Sequence, residues 1–125
     1  MKEADGPPPD LRARTKRFGL NVVSLYTQLP VRPQAQVMGR QVLRSGTSVG
    51  AHYREACRAR SDAEFISKIE CAMQELDESL YWIELLEESA LVESGLLEGL
   101  KQETTELTRI FVSSALTAKK NKGDA

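Results

Sequence analysis

Residues 61–89, SDAEFISKIECAMQELDESLYWIELLEES, decide the fold of this chain. The stretch opens with a capping box, in which the Ser61 hydroxyl accepts from the amide of Glu64 and the glutamate reaches back. Apolar and small residues then recur at alternating spacings of four and three, which is the pattern of a heptad seam. The predicted seam of this helix comprises Phe65, Ile69, Ala72, Leu76, Ser79, Ile83 and Leu86, widened on one flank by Ile66, Met73 and Leu80.

Similar spacing predicts three further helices. The first spans residues 10–28, with Asp10 as N-cap and Pro30 ending the run. The second spans residues 33–59, and the fourth begins near residue 94 or 95. Their predicted apolar stripes are Leu11, Thr15, Phe18, Val22, Leu25 and Leu29 in the first, Met38, Val42, Ser45, Val49, His52 and Ala56 in the second, and Leu96, Leu97, Leu100, Thr104, Leu107, Ile110, Phe111 and Ser114 in the fourth.

The four helices predict an all-α fold, an up-down-up-down antiparallel four-helix bundle. Short loops force consecutive helices to lie antiparallel, and no strand pattern competes. The length of 125 residues fits one domain. We expect a disordered N-terminal tail at residues 1–9, which include three prolines, the bundle at residues 10–118, and a basic C-terminal tail at residues 119–125.

The composition indicates a cytoplasmic protein. Hydrophobic residues make up 41% and charged residues 28%, as in ordinary soluble proteins. No apolar run is long enough to span a membrane, and residues 1–10 lack the apolar core of a signal peptide. Cys57 and Cys71 are expected to be reduced thiols, and with His52 as the only histidine they cannot complete a four-ligand zinc site of cysteine and histidine alone. A metal site would have to recruit carboxylates or a second subunit. We predict no metal and no cofactor.

Gly46 and Gly50 stand four residues apart in the middle of the second helix. A phosphate-binding loop is excluded, because no strand precedes them and the required lysine is absent. Each glycine costs about 1 kcal/mol relative to alanine in a helix interior. Close approach of another helix usually offsets such a cost. We therefore predict a thin section against which a neighbouring helix, or a bulky side chain such as Trp82, packs; a kink is the alternative.

His52 lies on the predicted apolar stripe of the second helix. A hydrogen-bonded core role is favoured over catalysis, because a general base also needs a positioned partner and a substrate. Arg44, Ser48 and Glu55 share a face by helical spacing, which predicts an Arg–Glu network within the chain or between subunits. No Ser-His-Asp or Cys-His arrangement is present, so no catalytic residue is assigned and no enzyme is predicted.

A second apolar face accompanies the predicted core. Tyr81, Trp82 and Leu85 lie on or beyond the edge of the third seam, as do Leu20 and Tyr26 in the first helix. Aromatic residues are enriched at subunit interfaces. The cluster Tyr81, Trp82 and Leu85 is therefore our candidate for a contact between subunits.

The charge is divided along the chain. Residues 1–60 carry 11 Lys/Arg and 4 Asp/Glu, a net +7, and residues 61–125 carry 6 and 14, a net −8. This split indicates a basic partner-binding face, helices that pair by opposite charge, or solvated surfaces. A pI of about 5.9 argues against a generic nucleic-acid binder, so only a segregated basic face would serve. The candidates are Arg12, Arg14, Lys16 and Arg17, then Arg54, Arg58 and Arg60, and Lys119, Lys120 and Lys122 in the tail.

Residues 41–89 combine the pattern R-S-x-x-S-[IV] and an E-A pair with a later A-E-F and Y-W-x-E-L-L. In this combination the chain resembles the bacterial four-helix-bundle proteins related to the 23S rRNA intervening-sequence protein. Their pattern R-S-x-x-S-[IV]-x-x-N-x-x-E-A has asparagine where this chain has His52. The matching residues are Arg44, Ser45, Ser48, Val49, Glu55, Ala56, Ala63, Glu64, Phe65, Tyr81, Trp82, Glu84, Leu85 and Leu86.

The resemblance implies a small bundle that assembles as a ring-like homopentamer without catalytic activity. It also implies that Gly46 and Gly50 serve tight packing within or between bundles. A distant branch of the family binds nucleic acid as an accessory factor of reverse transcriptases. Two functions follow as expectations: a homo-oligomeric interaction scaffold, or an RNA- or DNA-binding accessory protein. Neither involves a membrane or a small-molecule substrate.

Overall fold

The computed structural model describes residues 10–123, which fold into four helices and contain no strand. Helix α1 spans Leu11–Gln28, α2 Pro33–Cys57, α3 Asp62–Glu88 and α4 Ser94–Lys122. The predicted all-α fold with four helices is confirmed. Within the described part of the chain, no helix has the length and apolar character that a membrane crossing needs. The tail predicted at residues 1–9 lies outside the described residues.

Two helix starts carry the predicted caps. The Asp10 carboxylate accepts from the amide of Ala13 at 3.2 Å, and the Ser61 hydroxyl accepts from the amide of Glu64 at 3.1 Å. The Glu64 carboxylate reaches back as predicted, but it accepts from the amide of Arg60, one residue before the cap, at 2.9 Å. Both caps satisfy amides that would otherwise lack a partner in the first turn.

Helix α4 continues through Lys122, four residues beyond the predicted end of the folded region. Gly123 ends it in the left-handed conformation, with φ of 90°, and its amide donates to the carbonyl of Lys120 at 3.0 Å. A glycine at this position is a common helix terminator. The basic residues of the last turn also interact favourably with the negative end of the helix dipole. Residues 119–122 are therefore helical, and residues 124–125 of the predicted basic tail lie outside the described residues.

Helix α2 packs against both α1 and α3, α3 packs against α4, and α1 makes a smaller contact with α4. Between consecutive helices, contacts join the early part of one to the late part of the next. This pattern is consistent with the predicted antiparallel order. Examples are Thr15 with Gly50 and Leu29 with Gly39, Glu55 with Lys68 and Arg44 with Glu78, and Glu87 with Lys101 and Glu70 with Lys119.

The core follows the predicted seams most closely in α1, where all six seam residues are buried. In α2 the buried face is rotated, so that Met38 and His52 are only half-buried. Three small residues, Ala35, Gly39 and Gly46, are buried in their place. In α3 and α4, Phe65, Leu96, Ile110 and Ser114 are likewise half-buried, whereas Ile66, Ala115 and Ala118 are buried.

The rotation of α2 follows from the close approach of α1. A Cβ added to Gly46 would lie 2.7 Å from Cγ2 of Val22, and one added to Gly50 would lie 3.2 Å from Oγ1 of Thr15. The neighbour at this thin section is therefore α1, and the suggestion that Trp82 packs there is wrong. Sequence reasoning missed Gly39, where an added Cβ would collide with Leu29 and Tyr26.

Substituting these glycines tests the close approach directly. We expect Gly46→Ala to lower the free energy of unfolding by about 1–2 kcal/mol, because the overlap with buried, β-branched Val22 outweighs the gain in helix propensity. The matched control is Gly99→Ala in α4, where an added Cβ meets no atom within 4 Å. This variant should be more stable than the wild type by up to about 1 kcal/mol. Urea unfolding measures both, and a stabilised Gly46→Ala protein would contradict the close approach.

Candidate functional site

The polar residues of the R-S-x-x-S segment and of the stretch before Trp82 meet where α2 lies against α3. The guanidinium of Arg44 forms ion pairs with Glu78 and, at 3.5 Å, with Glu75. Glu78 also accepts from the indole nitrogen of Trp82 at 3.4 Å. Arg44 and Glu55, which helical spacing placed on one face, do not pair with each other: Arg44 pairs with Glu75 and Glu78 of α3, and Glu55 pairs with Lys68 of α3.

His52 lies between two carboxylates at the same boundary. Its Nδ1 is 3.3 Å from Oε1 of Glu55, and its Nε2 is 3.5 Å from Oε2 of Glu75. Glu55 in turn forms an ion pair with Lys68 of α3 at 3.2 Å. Although the helical spacing placed His52 on the core stripe, the imidazole is half-buried and links charged groups at the edge of the core.

Glu75 has a basic side chain on each of two sides. Its Oε2 faces His52, and its Oε1 is buried and faces Arg44 without the geometry of a hydrogen bond. A buried carboxylate oxygen is costly unless a charge compensates it. The ion pair with Arg44 provides that compensation, so removing Arg44 would leave the buried oxygen of Glu75 without it.

Two serines join α2 and α3 below this charged layer. Ser45 and Ser79 are both fully buried, and their hydroxyl oxygens are 2.8 Å apart. Ser45 and Ser79 thus place small side chains in the core, and the hydroxyl group of each has the other as its hydrogen-bond partner. Ser48 does not take part, because its hydroxyl donates to the carbonyl of Arg44 in its own helix at 2.7 Å.

The ion pairs change the acidity of the carboxyl groups on this boundary. The Arg44 guanidinium, aided by the Trp82 indole, holds the pKa of Glu78 below its usual value of 4.5. Hydrogen bonds from Lys68, and then from His52, lower the pKa of Glu55. Within residues 10–123, no group of three or more His, Cys, Asp or Glu side chains is placed to hold a metal ion. The ion pairs of Arg44 and Glu55 with side chains of α3 therefore hold α2 against α3.

The predicted interface residues differ in exposure. Tyr81 is 54% exposed, whereas Trp82 is half-buried, packs against the core and meets the Tyr81 ring edge-on with 5.0 Å between centroids. Leu85 is half-buried. The most exposed leucines are Leu20 at 59% and Leu116 at 55%. Sequence reasoning singled out Leu20 but missed Leu116, which lies off the α4 stripe and was detectable on that ground.

The predicted nucleic-acid residues do not form one patch. Arg14 donates from Nε and Nη2 to the carboxylate of Glu103 at 2.7 and 3.0 Å, and this bond raises the pKa of its guanidinium. Lys16 and Arg54 border a groove of about 470 Å³ between α1 and α2, whereas Arg17 borders a groove between α1 and α4. Among the predicted residues, those whose side chains form no ion pair with any residue from 10 to 123 are Arg12, Lys16, Arg17, Arg54, Arg58, Arg60 and Lys120.

Comparison with known proteins finds one family and a solved relative. The model of the family described as "23S rRNA-intervening sequence protein" matches residues 10–113. Among solved structures, the chain is similar to the 1.70 Å crystal structure of a protein with unknown function from the S23 ribosomal protein family of Bacteroides thetaiotaomicron. The identity is 35%, the match covers 84% of this chain and 97% of that one, and the TM-score is 0.78. No curated protein matches the chain.

The ion pairs of the α2–α3 boundary predict a dependence of stability on pH. Because the pKa of Glu78 is lower in the folded than in the unfolded chain, its stabilisation is present above about pH 4.5 and is lost as the pH falls through the lowered pKa. We expect Arg44→Met to be less stable than the wild type near neutral pH and to lose less stability upon acidification.

Urea unfolding between about pH 6 and pH 3 measures this difference. The control is Arg109→Met, which removes an exposed arginine whose partner, Glu106, lies on the same helix. Its pH dependence should follow that of the wild type. If Arg44→Met lost stability as steeply as the wild type, the Arg44–Glu78 pair would not be the cause.

Proposed function

Because the chain belongs to the 23S rRNA-intervening sequence protein family, we propose that it is a non-enzymatic, homo-oligomeric scaffold. In this proposal each subunit is an up-down-up-down antiparallel four-helix bundle, and the subunits form a pentameric ring in the cytoplasm. The contacts between early and late parts of consecutive helices support the antiparallel order. The pentamer rests on the family resemblance. The free cysteines Cys57 and Cys71 fit a reducing compartment.

The observation that carries the oligomer is the apolar surface that remains after the core is filled. Phe18 and Phe111 are almost completely buried, yet Leu20, Tyr81 and Leu116 are each more than half exposed. Single exposed apolar residues are normal in a monomer. Here they occur on α1, α3 and α4, and Tyr81 adjoins the half-buried Trp82. An exposed aromatic residue of this kind is typical of a contact between subunits.

The polar residues shared with the family support a structural role. Arg44 and Glu55 are engaged with side chains of α3, as is His52 at the position where the family pattern has asparagine. Ser45 bonds to Ser79, and Ser48 bonds to its own helix. These contacts explain the residues through the joining of two helices, without a substrate. We therefore propose that the family pattern specifies the packing of α2 on α3.

Light scattering on a sizing column tests the assembly. We expect a single species of several 13.9 kDa subunits at moderate salt. Tyr81→Ser should weaken the assembly without unfolding the chain, because the side chain of Tyr81 is more than half exposed in the single subunit. Trp82 is a poor probe, since its loss would also damage the core. The matched control is Tyr26→Phe, which removes a hydroxyl that donates to Gln36 within the chain. A monomeric wild type would refute the oligomer.

The alternative is an RNA- or DNA-binding accessory protein. The observation in its favour is that Arg12, Lys16, Arg54 and Arg58 form no ion pair within the described residues. The solved relative is assigned to the S23 ribosomal protein family, which agrees with an association with RNA. Protein–nucleic acid affinity comes mostly from phosphates neutralised by such cations. Arg14 is the weakest candidate, because Glu103 already occupies two of its donors.

The salt dependence of RNA binding tests the alternative. Replacing Arg12 and Lys16 by glutamine should weaken binding to single-stranded RNA and reduce the logarithmic salt slope by about 0.7 for each lost phosphate contact. The control, with Arg32→Gln and Arg109→Gln, removes the same charge at exposed residues that are not among the candidates. Equal slopes in wild type and both variants would contradict a binding face on α1. The same column experiment, with absorbance read at 260 and 280 nm, detects co-purified nucleic acid.

A further inference from the structure

Two exposed stripes on neighbouring helices have the same spacing and opposite charge. Successive members of each stripe are separated by 7, 4, 3 and 4 residues, so each stripe occupies one face of its helix. All ten residues are exposed. The basic stripe runs along α2 and consists of Arg40, Thr47, Ala51, Arg54 and the C-cap residue Arg58. The acidic stripe runs along α3 and consists of Glu70, Asp77, Tyr81, Glu84 and Glu88.

Most of these charged side chains form no ion pair with any residue from 10 to 123. The three arginines of the basic stripe form no ion pair with any residue from 10 to 123. In the acidic stripe only Glu70 forms one, with Lys119 at 3.6 Å. The carboxylates that hold Arg44, namely Glu75 and Glu78, point to a different side of α3 and belong to neither stripe.

The centre of each stripe is apolar or small. Ala51 and Thr47 border the groove between α1 and α2, together with the exposed side chains of Leu20 and Val23. Gly19 and Gly50 deepen this groove because they have no side chains. On α3, the exposed ring of Tyr81 stands between Asp77 and Glu84. A groove with an apolar floor and basic ends thus matches a ridge with an aromatic centre and acidic ends.

We propose that the acidic stripe of one copy of this chain docks into the α1–α2 groove of a second copy. Tyr81 then contacts Leu20, Val23 and Ala51, and the carboxylates face the arginines of the basic stripe and Lys16. The inference rests on the proposed homo-oligomer and states which surfaces form it. Because the two surfaces differ, each copy offers one groove and one ridge, and repeating the contact produces a ring when the rotation closes.

Charge decides between this contact and the other arrangements. A two-fold contact of groove with groove would place arginines against arginines, and like charges facing each other cost several kcal/mol. RNA in the groove would use the arginines and Lys16, but it would leave the acidic stripe and Tyr81 without a partner. Repeated docking of further copies gives both the groove with its basic stripe and the acidic stripe with Tyr81 a partner of opposite charge.

Charge reversal on each face, alone and together, tests the docking. The basic-face variant carries Arg54→Glu and Arg58→Glu, and the acidic-face variant carries Asp77→Arg and Glu84→Arg. At moderate salt each should weaken the assembly on the order of 100-fold, as judged by light scattering over a dilution series. The chain with all four substitutions should assemble again, because the charges are exchanged and remain complementary. A mixture of the two single-face variants should also co-assemble.

Two further measurements keep the result unambiguous. Circular dichroism and thermal unfolding report whether each variant is folded. A control with Arg17→Glu and Lys120→Glu makes the same change of net charge as the basic-face variant, outside both stripes, and it should assemble like the wild type. Restored assembly in the four-substitution chain would support the docking, since a general effect of charge would not be reversed by further substitutions.

The opposite results are equally distinct. If the wild type assembles and neither reversal affects it, the docking is wrong while the proposed oligomer stands. If the wild type is a monomer, the oligomer and the docking both fail. If the basic-face variant loses bound RNA but keeps its assembly, the groove is a nucleic-acid site and the docking is overturned.

Discussion

The close approach of α1 to α2 is the contact on which the other features of this fold depend. Val22 lies so near Gly46 that an added Cβ would be 2.7 Å from it, and Gly39 accommodates Tyr26 and Leu29 in the same way. Because these glycines turn the buried face of α2 toward α1, His52 moves off the core to the boundary with α3. The same approach leaves the α1–α2 groove lined by Gly19 and Gly50 and bordered by exposed residues.

The boundary between α2 and α3 is built differently, with polar contacts in place of close backbone packing. Ser45 and Ser79 bond to each other in the core, Arg44 and Lys68 form ion pairs above them, and His52 lies between the carboxylates of Glu55 and Glu75. Exposed ion pairs contribute little to stability. Their value here lies in orientation, because a carboxylate such as Glu75, held between Arg44 and His52, fits only one register of α2 on α3. Arg44, Ser45 and Glu55 thus all take part in the contact of α2 with α3.

Only some of the opposite charges in the two halves of the chain form ion pairs with each other. Arg14 with Glu103 and Arg44 with Glu78 join basic residues of the first half to acidic residues of the second. Many other charges, including Arg54, Arg58 and Asp77, remain on the outer surface. This remainder is what distinguishes the outer surface of α2 from that of α3, and it gives the molecule two unlike faces. A subunit with two unlike and complementary faces is suited to assembly by a repeated contact.

The helices, their caps and most of the core were predictable from the sequence by itself. Heptad spacing depends on the geometry of one helix, so the six seam residues of α1 and the caps at Asp10 and Ser61 needed no knowledge of neighbours. The rotation of α2, the partners of Arg44 and the identity of the helix beside Gly46 were decided only by the tertiary structure. Each depends on which surfaces meet across the fold, and local spacing carries no information about residues distant in the chain.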